Sequence, residues 1–468
     1  MITRIEIDGF KSFRKFQMEF SPLTVIAGAN ASGKSNLFDA LHLLSRLAEM
    51  NLKTAFSGLR GEPIEQFTYY GDGQYADTMS FVVDLLVDQQ VRDNWGGEAR
   101  LEFTRLTYSL LIERVINEHG VNELFIAKET LKPIRKQDDH WIEAKVPDKV
   151  AKNWVVSSSE YDLKVEVSSL EDKPLFVVLL DGQFKGYTAG SPVITKIRLQ
   201  QTYISGFNKV ETPHLLAVQQ EMRNWRMYNL NPEVLRIPSG YLADSTMLPT
   251  GENLAAVLHR IKVADSFSFA SIRRRLANLL PGLTDLDVVD DKADRRYIIR
   301  IKNSDGLEFT SRVLSEGTLR LLVLCVLQYD EEHKGVTCLE EPENGTHPFR
   351  LKLVAQMLSD LSDNFMDTDF PLRQVIVNTH SPLLINEVLQ VELRQFVSIW
   401  FSQLVTQNFL LNDQRVSIQA TRILPVDTEK DSHYSSVSET EKRISLRQLQ
   451  QYLQSADVED TLNDLSHL

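Results

Sequence analysis

Residues 25–41 read VIAGANASGKSNLFDAL: a short apolar run, a loop with two glycines and a lysine, then an amphipathic stretch. The loop Gly28-Ala29-Asn30-Ala31-Ser32-Gly33-Lys34-Ser35 meets every fixed position of the phosphate-binding pattern G-x-x-x-x-G-K-[ST]. Upstream, Leu23-Thr24-Val25-Ile26-Ala27 is apolar and β-branched, which suits a buried parallel strand. Downstream, Leu37, Leu41, Leu44 and Ala48 recur at helical spacing, which predicts a helix from about Ser35. In the order strand, loop, helix, the backbone N–H groups of the loop converge on a phosphate at the positive end of the helix. Lys34 would reach the β and γ phosphates, and the Ser35 hydroxyl would ligate magnesium. The reading is a nucleoside triphosphate site; the competing one is a glycine-rich turn that holds nothing.

Composition narrows the setting. A chain of 468 residues exceeds the usual single-domain size, so two or more structural units are expected. Hydrophobic residues at 43% and charged residues at 25% are ordinary for a folded protein. The two cysteines, Cys325 and Cys338, sit inside apolar runs and read as buried thiols of a reducing compartment. No apolar run approaches a membrane span, and the N-terminus lacks a signal-peptide layout, so a cytoplasmic protein without a membrane partner is expected. A net charge of −13 argues against a chain coated in nucleic acid, although a local basic groove stays open.

Along the chain, Ile2 to Ile7 and Phe16 to Phe20 read as a strand pair ahead of the phosphate loop. From about 76 to 205, alternation marks strands at Met79 to Val87, Leu101 to Ile112, Leu124 to Ala127, Leu175 to Leu180 and Val193 to Leu199. Turn signals such as Gly96-Gly97, Glu118-His119-Gly120 and Asp181-Gly182 separate them, which predicts a mostly β insertion. Residues 210 to 280 turn helical, clearest in HLLAVQQEMRNW and NLAAVLHRI. Asp285 to Asp290 and Arg296 to Ile301 read as a hairpin, and strands alternate with helices after it. Beyond about 425, PVDTEKDSHYSSVSETEKR reads as a polar linker before a short terminal helix.

The second half of the chain repeats the theme of chemistry at element ends. VLSEGTLRLLVLCVLQY places Ser315-Glu316-Gly317 before an apolar helix from Thr318, with Ser315 a natural N-cap. GVTCLEEPENGTHP delivers Glu340 and Glu341 at the carboxyl end of a strand Val336 to Leu339, where ligands bind in open α/β sheets. One carboxylate there suits a magnesium shell and the next can polarise an attacking water. QVIVNTHSPLLIN ends a strand, Val375 to Val377, in Asn378-Thr379-His380, and His380 could contact a γ-phosphate or cap a turn. Each piece alone has a bland structural reading; the order of the four carries the weight.

That order resembles an ABC-type ATPase of the SMC/RecF-like group, more narrowly the RecF-like ATPases related to OLD, Septu and PARIS defence systems. The likeness covers residues 1–75 and about 230–400, with GANASGKSN as Walker A, LSEGT as signature, CLEEPENGTHP as Walker B plus D-loop, and NTHSP as the switch-histidine strand. It implies an α/β fold: an ABC-type head of a mixed β lobe and a mostly parallel α/β lobe, with an inserted β/helical side lobe. The divisions would be 1–75 (first part of the head), 76–230 (insertion), 231–310 (helical connection and hairpin), 311–425 (second part of the head) and 426–468 (linker and terminal helix). The cofactors implied are ATP and Mg2+. Gly28, Asn30, Ala31, Ser32, Gly33, Lys34, Ser35 and Asn36 would hold ATP, and Ser35 and Glu340 magnesium. Glu341 would be the catalytic base and His380 the γ-phosphate sensor. Ser315, Glu316 and Gly317 would close in trans over ATP of a second subunit in a head-to-tail homodimer, extensible to a higher homo-oligomer. The sequence departs from transporters in LSEGT for LSGGQ and Glu340 for Asp, and slow ATP turnover is expected. Gln66 is one candidate for the Q-loop glutamine, whereas Gln200 and Gln201 read equally as solvated strand residues.

Three functions follow. One is a sensor or scaffold ATPase of a bacterial anti-phage system that controls a separately encoded effector protein. Another is a RecF-like repair ATPase clamping duplex DNA, for which Arg260, Lys262, Arg273, Arg274 and Arg275 are the candidate cations. The last is an OLD-type nuclease, which needs an acidic metal domain that the sequence beyond His380 does not suggest. The long insertion and the LSEGT signature do not suit a transporter subunit. The acidic balance favours the scaffold reading.

Overall fold

Every residue of the strand Leu23–Ala27 is buried, and its alternate side chains enter two different cores. Ile26 joins Val336, Cys338 and Ile376 in one. Leu23, Val25 and Ala27 join Leu339, Val375 and Val377 in the other. A strand covered on both faces must be apolar throughout, which is why its sequence shows no alternation. The computed structural model describes residues 1–426 except 160, 162, 169–175, 182–183, 187–198, 207, 281, 364, 368–370, 392–393 and 412, together with Arg447.

Leu23–Ala27 lies inside a six-stranded sheet in the order Arg226–Tyr228, Gly335–Glu340, Arg373–Thr379, Leu23–Ala27, Val397–Leu411, Gln414–Pro425. The first five run parallel and the last returns antiparallel. Register places Glu340 opposite Asn378 and Asn378 opposite Ile26, so three strands end at one level. The helices Leu254–Ala264, Ser266–Leu279, Glu316–Tyr329 and Leu351–Leu361 contribute buried side chains to the core on one face. The hairpin Leu283–Asp291 and Arg296–Asn303 packs there too, through Leu286, Val288, Ile299 and Ile301. The helix Lys34–Leu47 covers the opposite face, with Leu37, Leu41, Leu44 and Ala48 all buried.

An eight-stranded antiparallel sheet lies over that helix. Its order is Phe184–Gly186, Phe176–Asp181, Lys164–Ser168, Asn122–Pro133, Arg105–Ile116, Thr78–Leu86, Ile2–Asp8, Phe16–Glu19. The expected fold class therefore stands: a mixed α/β chain with one antiparallel and one mostly parallel sheet, and an inserted run of strands and helices. Strand pairing crosses the expected boundaries at 75 and 230. Thr78–Leu86 is hydrogen-bonded between Ile2–Asp8 and Arg105–Ile116, so the insertion extends the sheet that the N-terminal strands begin. Arg226–Tyr228 is an edge strand of the parallel sheet, not part of a separate lobe. Alternation reveals a strand and its buried face, but not the neighbour it pairs with.

Two strand boundaries differ for local reasons. Residues 101–104 stay outside the strand that starts at Arg105, because the N–H groups of Glu102 and Phe103 are donated to His214 Nε2. That acceptor role leaves the proton of the buried imidazole on Nδ1, which faces the buried carboxylate of Asp181. The strand expected at Leu124 to Ala127 runs on through Lys128-Glu129-Thr130 to Pro133, with Glu129 buried. Of the strand expected at Val193 to Leu199, only Leu199 is described, bridging Ile126; the polar linker and terminal helix likewise lie outside the described residues apart from Val426 and Arg447. Both cysteines are buried free thiols, and burial pushes Cys325 up to about 12. Among the described residues no helix is long and apolar enough to cross a membrane.

Glu129 accepts from Tyr108 Oη at 2.9 Å and from the N–H groups of Tyr203 and Ile204, tying the chain after Leu199 to the antiparallel sheet. Burial pushes its carboxyl up to about 7, against the opposing pull of those three donors. A carboxyl that titrates higher folded than unfolded favours the fold while protonated. Its contribution is complete below pH 4.5 and disappears as pH rises through 7. Chemical denaturation between pH 5 and 8 should therefore show wild type losing on the order of 3 kcal/mol relative to a Glu129→Gln variant. Parallel pH profiles for the two proteins would remove Glu129 as the cause.

Candidate nucleotide site

The phosphate loop leaves the carboxyl end of Leu23–Ala27 and enters Lys34–Leu47, as strand-loop-helix order requires. Its two glycines hold positions closed to any side chain. Gly28 has φ +145°, and a Cβ there would lie 2.5 Å from the Ser402 carbonyl oxygen. Gly33, φ +94°, would place one 1.8 Å from Thr421 Oγ1. The outer wall of the loop is thus the final hairpin of the parallel sheet, which also donates Ser402 Oγ to Ser32 O at 2.9 Å. The turn after the first strand closes the other side. Ser12 Oγ lies 2.6 Å from Thr421 Oγ1 and accepts from Asn36 Nδ2 at 2.7 Å, while Lys11 Nζ meets Asp39 at 2.6 Å. Sequence reasoning missed this clamp of Lys11, Ser12, Ser402 and Thr421; polar residues in a turn or inside a strand carry no pattern that singles them out.

Lys34 is buried and donates to Gly28 O and Ala29 O, both at 2.7 Å. Burial lowers its pKa, and the neighbouring carboxylates of Glu341 and Glu340 oppose that shift. The lysine accordingly sits in the field of both glutamates, 306 and more residues away in sequence. Ser35 Oγ donates to Glu340 Oε1 at 2.6 Å, and Asn378 Nδ2 approaches both, at 3.4 and 3.3 Å. Asn378, inside the quoted NTHSP, is a site residue whose part sequence reasoning did not read.

Adjacent residues of a strand point to opposite faces, so two consecutive glutamates could not both serve one site on a continued strand. The backbone of Glu341 takes φ +49°, a left-handed turn at the strand exit held by Glu341 N to Asn378 O at 2.8 Å. Its side chain then accepts from Asn344 Nδ2 at 2.7 Å and from His380 Nδ1 at 2.6 Å. Behind it, Thr379 Oγ1 donates to the buried Glu343, whose carboxyl burial raises. The structure thus brings Lys34, Ser35, Glu340, Glu341 and His380 together. Gln66 stays apart: its amide donates to Arg60 O and Glu62 O, binding its own turn.

Three buried polar atoms here lack a partner among the described residues: Ser32 Oγ, Asn378 Oδ1 and Glu343 Oε2. A ligand-free polar pocket leaves such atoms, and a hydrated anion with its cation can satisfy them. Ser35 and Glu340 offer hard oxygen donors that fit Mg2+, and the loop fits a triphosphate.

The signature lies apart from this cluster. Ser315 Oγ accepts from Thr318 N at 3.2 Å, Glu316 pairs with Arg320 at 2.8 Å, and Arg236 holds Leu314 O at 3.1 Å. Gly317 abuts the loop after Glu341, since a Cβ there would stand 2.3 Å from Gly345 O. Neither Ser315 nor Glu316 hydrogen-bonds to residues 28–36 of its own chain.

Residues 1–228 match a family model described as "AAA ATPase domain", and residues 242–386 one described as "AAA domain, putative AbiEii toxin, Type IV TA system". The chromosome partition protein Smc of Halothermothrix orenii is 37% identical over 91 residues, 19% of this chain; the match spans 7% of that relative's length. Among solved structures, the SMC head domain from Thermotoga maritima is similar at 14% identity and TM-score 0.36, over 91% of this chain and 99% of that one. A Pyrococcus yayanosii Smc head with a coiled coil and joint is similar at 11% identity and TM-score 0.42, over 96% and 99%. A Pyrococcus furiosus Smc head bound to the C-terminal domain of ScpA stands at 12% and 0.39, over 90% and 96%. The two family models place AAA ATPase domains on both halves of the chain, which carries the phosphate loop, signature and paired glutamates in the order of the SMC/RecF-like ABC-type ATPases it resembles.

Proposed function

We propose that the chain is a cytoplasmic ATPase that binds ATP with Mg2+, hydrolyses it slowly, and uses the bound state to close a homodimer controlling a separate effector in anti-phage defence. The observation that carries the ATPase part is the meeting of Ser35 with Glu340 and of Glu341 with His380 at one edge of the parallel sheet. Gly28, Asn30, Ala31, Ser32, Gly33 and Asn36 frame the phosphates, and Lys34 leaves its loop carbonyls for them. Ser35 and Glu340 would hold Mg2+, which supplies charge neutralisation on the phosphates when bound. Glu341, oriented by Asn344 and His380, accepts the proton of the attacking water, and His380 senses the terminal phosphate. Ser315, Glu316 and Gly317 serve the ATP of a second subunit, consistent with their distance in bonding from the loop of their own chain. The defence role leans on the family resemblance and on the toxin–antitoxin wording of the model matched at 242–386.

The duplex-clamp alternative loses support from the arginine cluster. Arg273 is paired with Asp285, Arg275 with Asp360, Arg260 with Asp330 and Glu332, and Lys262 with Asp287, which leaves the exposed Arg274 as the one candidate of the five without an ion pair among the described residues. Cations already neutralised release few counterions from a phosphate backbone.

Lys34→Ala should abolish ATP binding measured by calorimetry, whereas retained affinity would put the nucleotide elsewhere. Glu341→Gln should bind ATP like wild type, lose hydrolysis by about a hundredfold or more, and accumulate as an ATP-bound dimer. Wild-type turnover in that variant would remove Glu341 as the base. Duplex DNA should leave steady-state turnover of the wild type within about twofold at physiological salt; strong stimulation would restore the clamp reading.

A further inference from the structure

A cleft of about 450 Å3, with Leu321 and Phe349 among its lining, opens beside the signature. Ser315 and Gly317 line one wall, Gly345, Thr346 and His347 another, and Arg350 stands at its side. No residue of the phosphate loop lines it, so a ligand here is not the ATP of the same chain. The cleft is electropositive by construction. It takes in the N-terminal end of the 14-residue helix Glu316–Tyr329, whose first N–H groups carry partial positive charge.

Arg350 adds a full charge. Its neighbours in the helical layer are neutralised: Arg320 by Glu316, Arg275 by Asp360, Arg260 by Asp330. The Arg350 guanidinium has no hydrogen-bond or ion-pair partner among the described residues, in a chain with 64 acidic side chains against 51 basic. It is half-buried, at the junction of the turn Pro348–Arg350 and the helix Leu351–Leu361, so its backbone is fixed. His347 is stacked on Phe349 with ring centroids 5.2 Å apart, which stiffens the same turn. Thr346 Oγ1, also at the cleft, is buried without a partner among the described residues. An unpaired guanidinium, a helix N-terminus and an unused hydroxyl around one space match a phosphate group, which takes forked donors.

We propose that Arg350, with Thr346 beside it, is a nucleotide contact made in trans: in the closed pair, the guanidinium of one subunit meets the terminal phosphate of the ATP held by the other. This rests on the reading that the signature serves a second subunit's ATP, and it adds the cation that the signature lacks. A second copy carrying ATP has the charge the cleft is missing, and it arrives only when loaded. The contact therefore couples pairing to the presence of the γ-phosphate.

The test uses the full chain in the Glu341→Gln background, with sedimentation velocity for pairing and a fluorescent ATP analogue for binding. Arg350→Ala should weaken ATP-dependent pairing by about tenfold or more, with Arg350→Lys between the two. Analogue affinity at concentrations where the chain is monomeric should stay within about twofold of the parent. Unchanged pairing of Arg350→Ala, while Glu341→Gln itself pairs with ATP, overturns the proposal and leaves the trans reading standing. A parallel loss of analogue affinity in the monomer, or equal weakening of pairing with ADP and ATP, also overturns it. Failure of Glu341→Gln to pair at all removes the trans reading and this proposal with it.

Discussion

Everything in the site depends on three buried parallel strands ending level with one another. Register sets Glu340 against Asn378 and Asn378 against Ile26, and the bond from Ser35 to Glu340 then spans 305 residues of sequence at 2.6 Å. Burial on both faces fixes that register. A slip of one residue would turn Ile26 and Cys338 out of one core and Val25 and Leu339 out of the other. The chemistry is therefore as stable as the sheet, because no separate framework of disulfides or metal ions positions it among the described residues.

Level strand ends bring like charges together, and the structure handles this by distributing hydrogen bonds. Glu340 takes the Ser35 hydroxyl and the Asn378 amide, Glu341 takes His380 and Asn344, and Glu343 takes Thr379. Lys34 faces the first two carboxylates while holding loop carbonyls. Each of these partners is also one that a triphosphate with Mg2+ would compete for or complete. Ser32 Oγ, Asn378 Oδ1 and Glu343 Oε2 stay without a partner among the described residues. Exchange of the carboxylates' hydrogen bonds for ligand bonds limits the net gain on binding.

The sequence made the motifs legible because each is local: glycines at 28 and 33, a capped apolar helix at Ser315, two glutamates after an apolar run. Their meeting in space was legible only through resemblance, since no local pattern encodes strand order in a sheet. The same limit applies at 75 and 230, where strand pairing crosses the expected boundaries. It also explains the missed clamp. Ser402 and Thr421 act because Gly28 and Gly33 lie against them, Ser12 because it bonds Thr421, and a serine or threonine inside a strand or turn gives no sign of what packs on it. The strand expected at Leu124 to Ala127 stops short of Glu129, because charge suggests solvent, whereas three donors satisfy that carboxyl inside.

Two glycines tie the hydrolytic side of the molecule to the side that would meet a second copy. Asn344 holds Glu341, the next residue is Gly345, and its carbonyl leaves no room for a Cβ on Gly317. In return, a Cβ on Gly345 would lie 2.8 Å from the Glu316 side chain. The loop carrying Glu341 and the helix carrying the signature are consequently in close contact, Gly345 lying against Gly317 and the Glu316 side chain. A close-packed contact of this kind transmits small displacements. On the proposed reading, an adjustment of Glu341 to nucleotide would be accommodated at Gly317 and along the turn to Arg350, so that loading one site would reshape the surface offered to a second subunit.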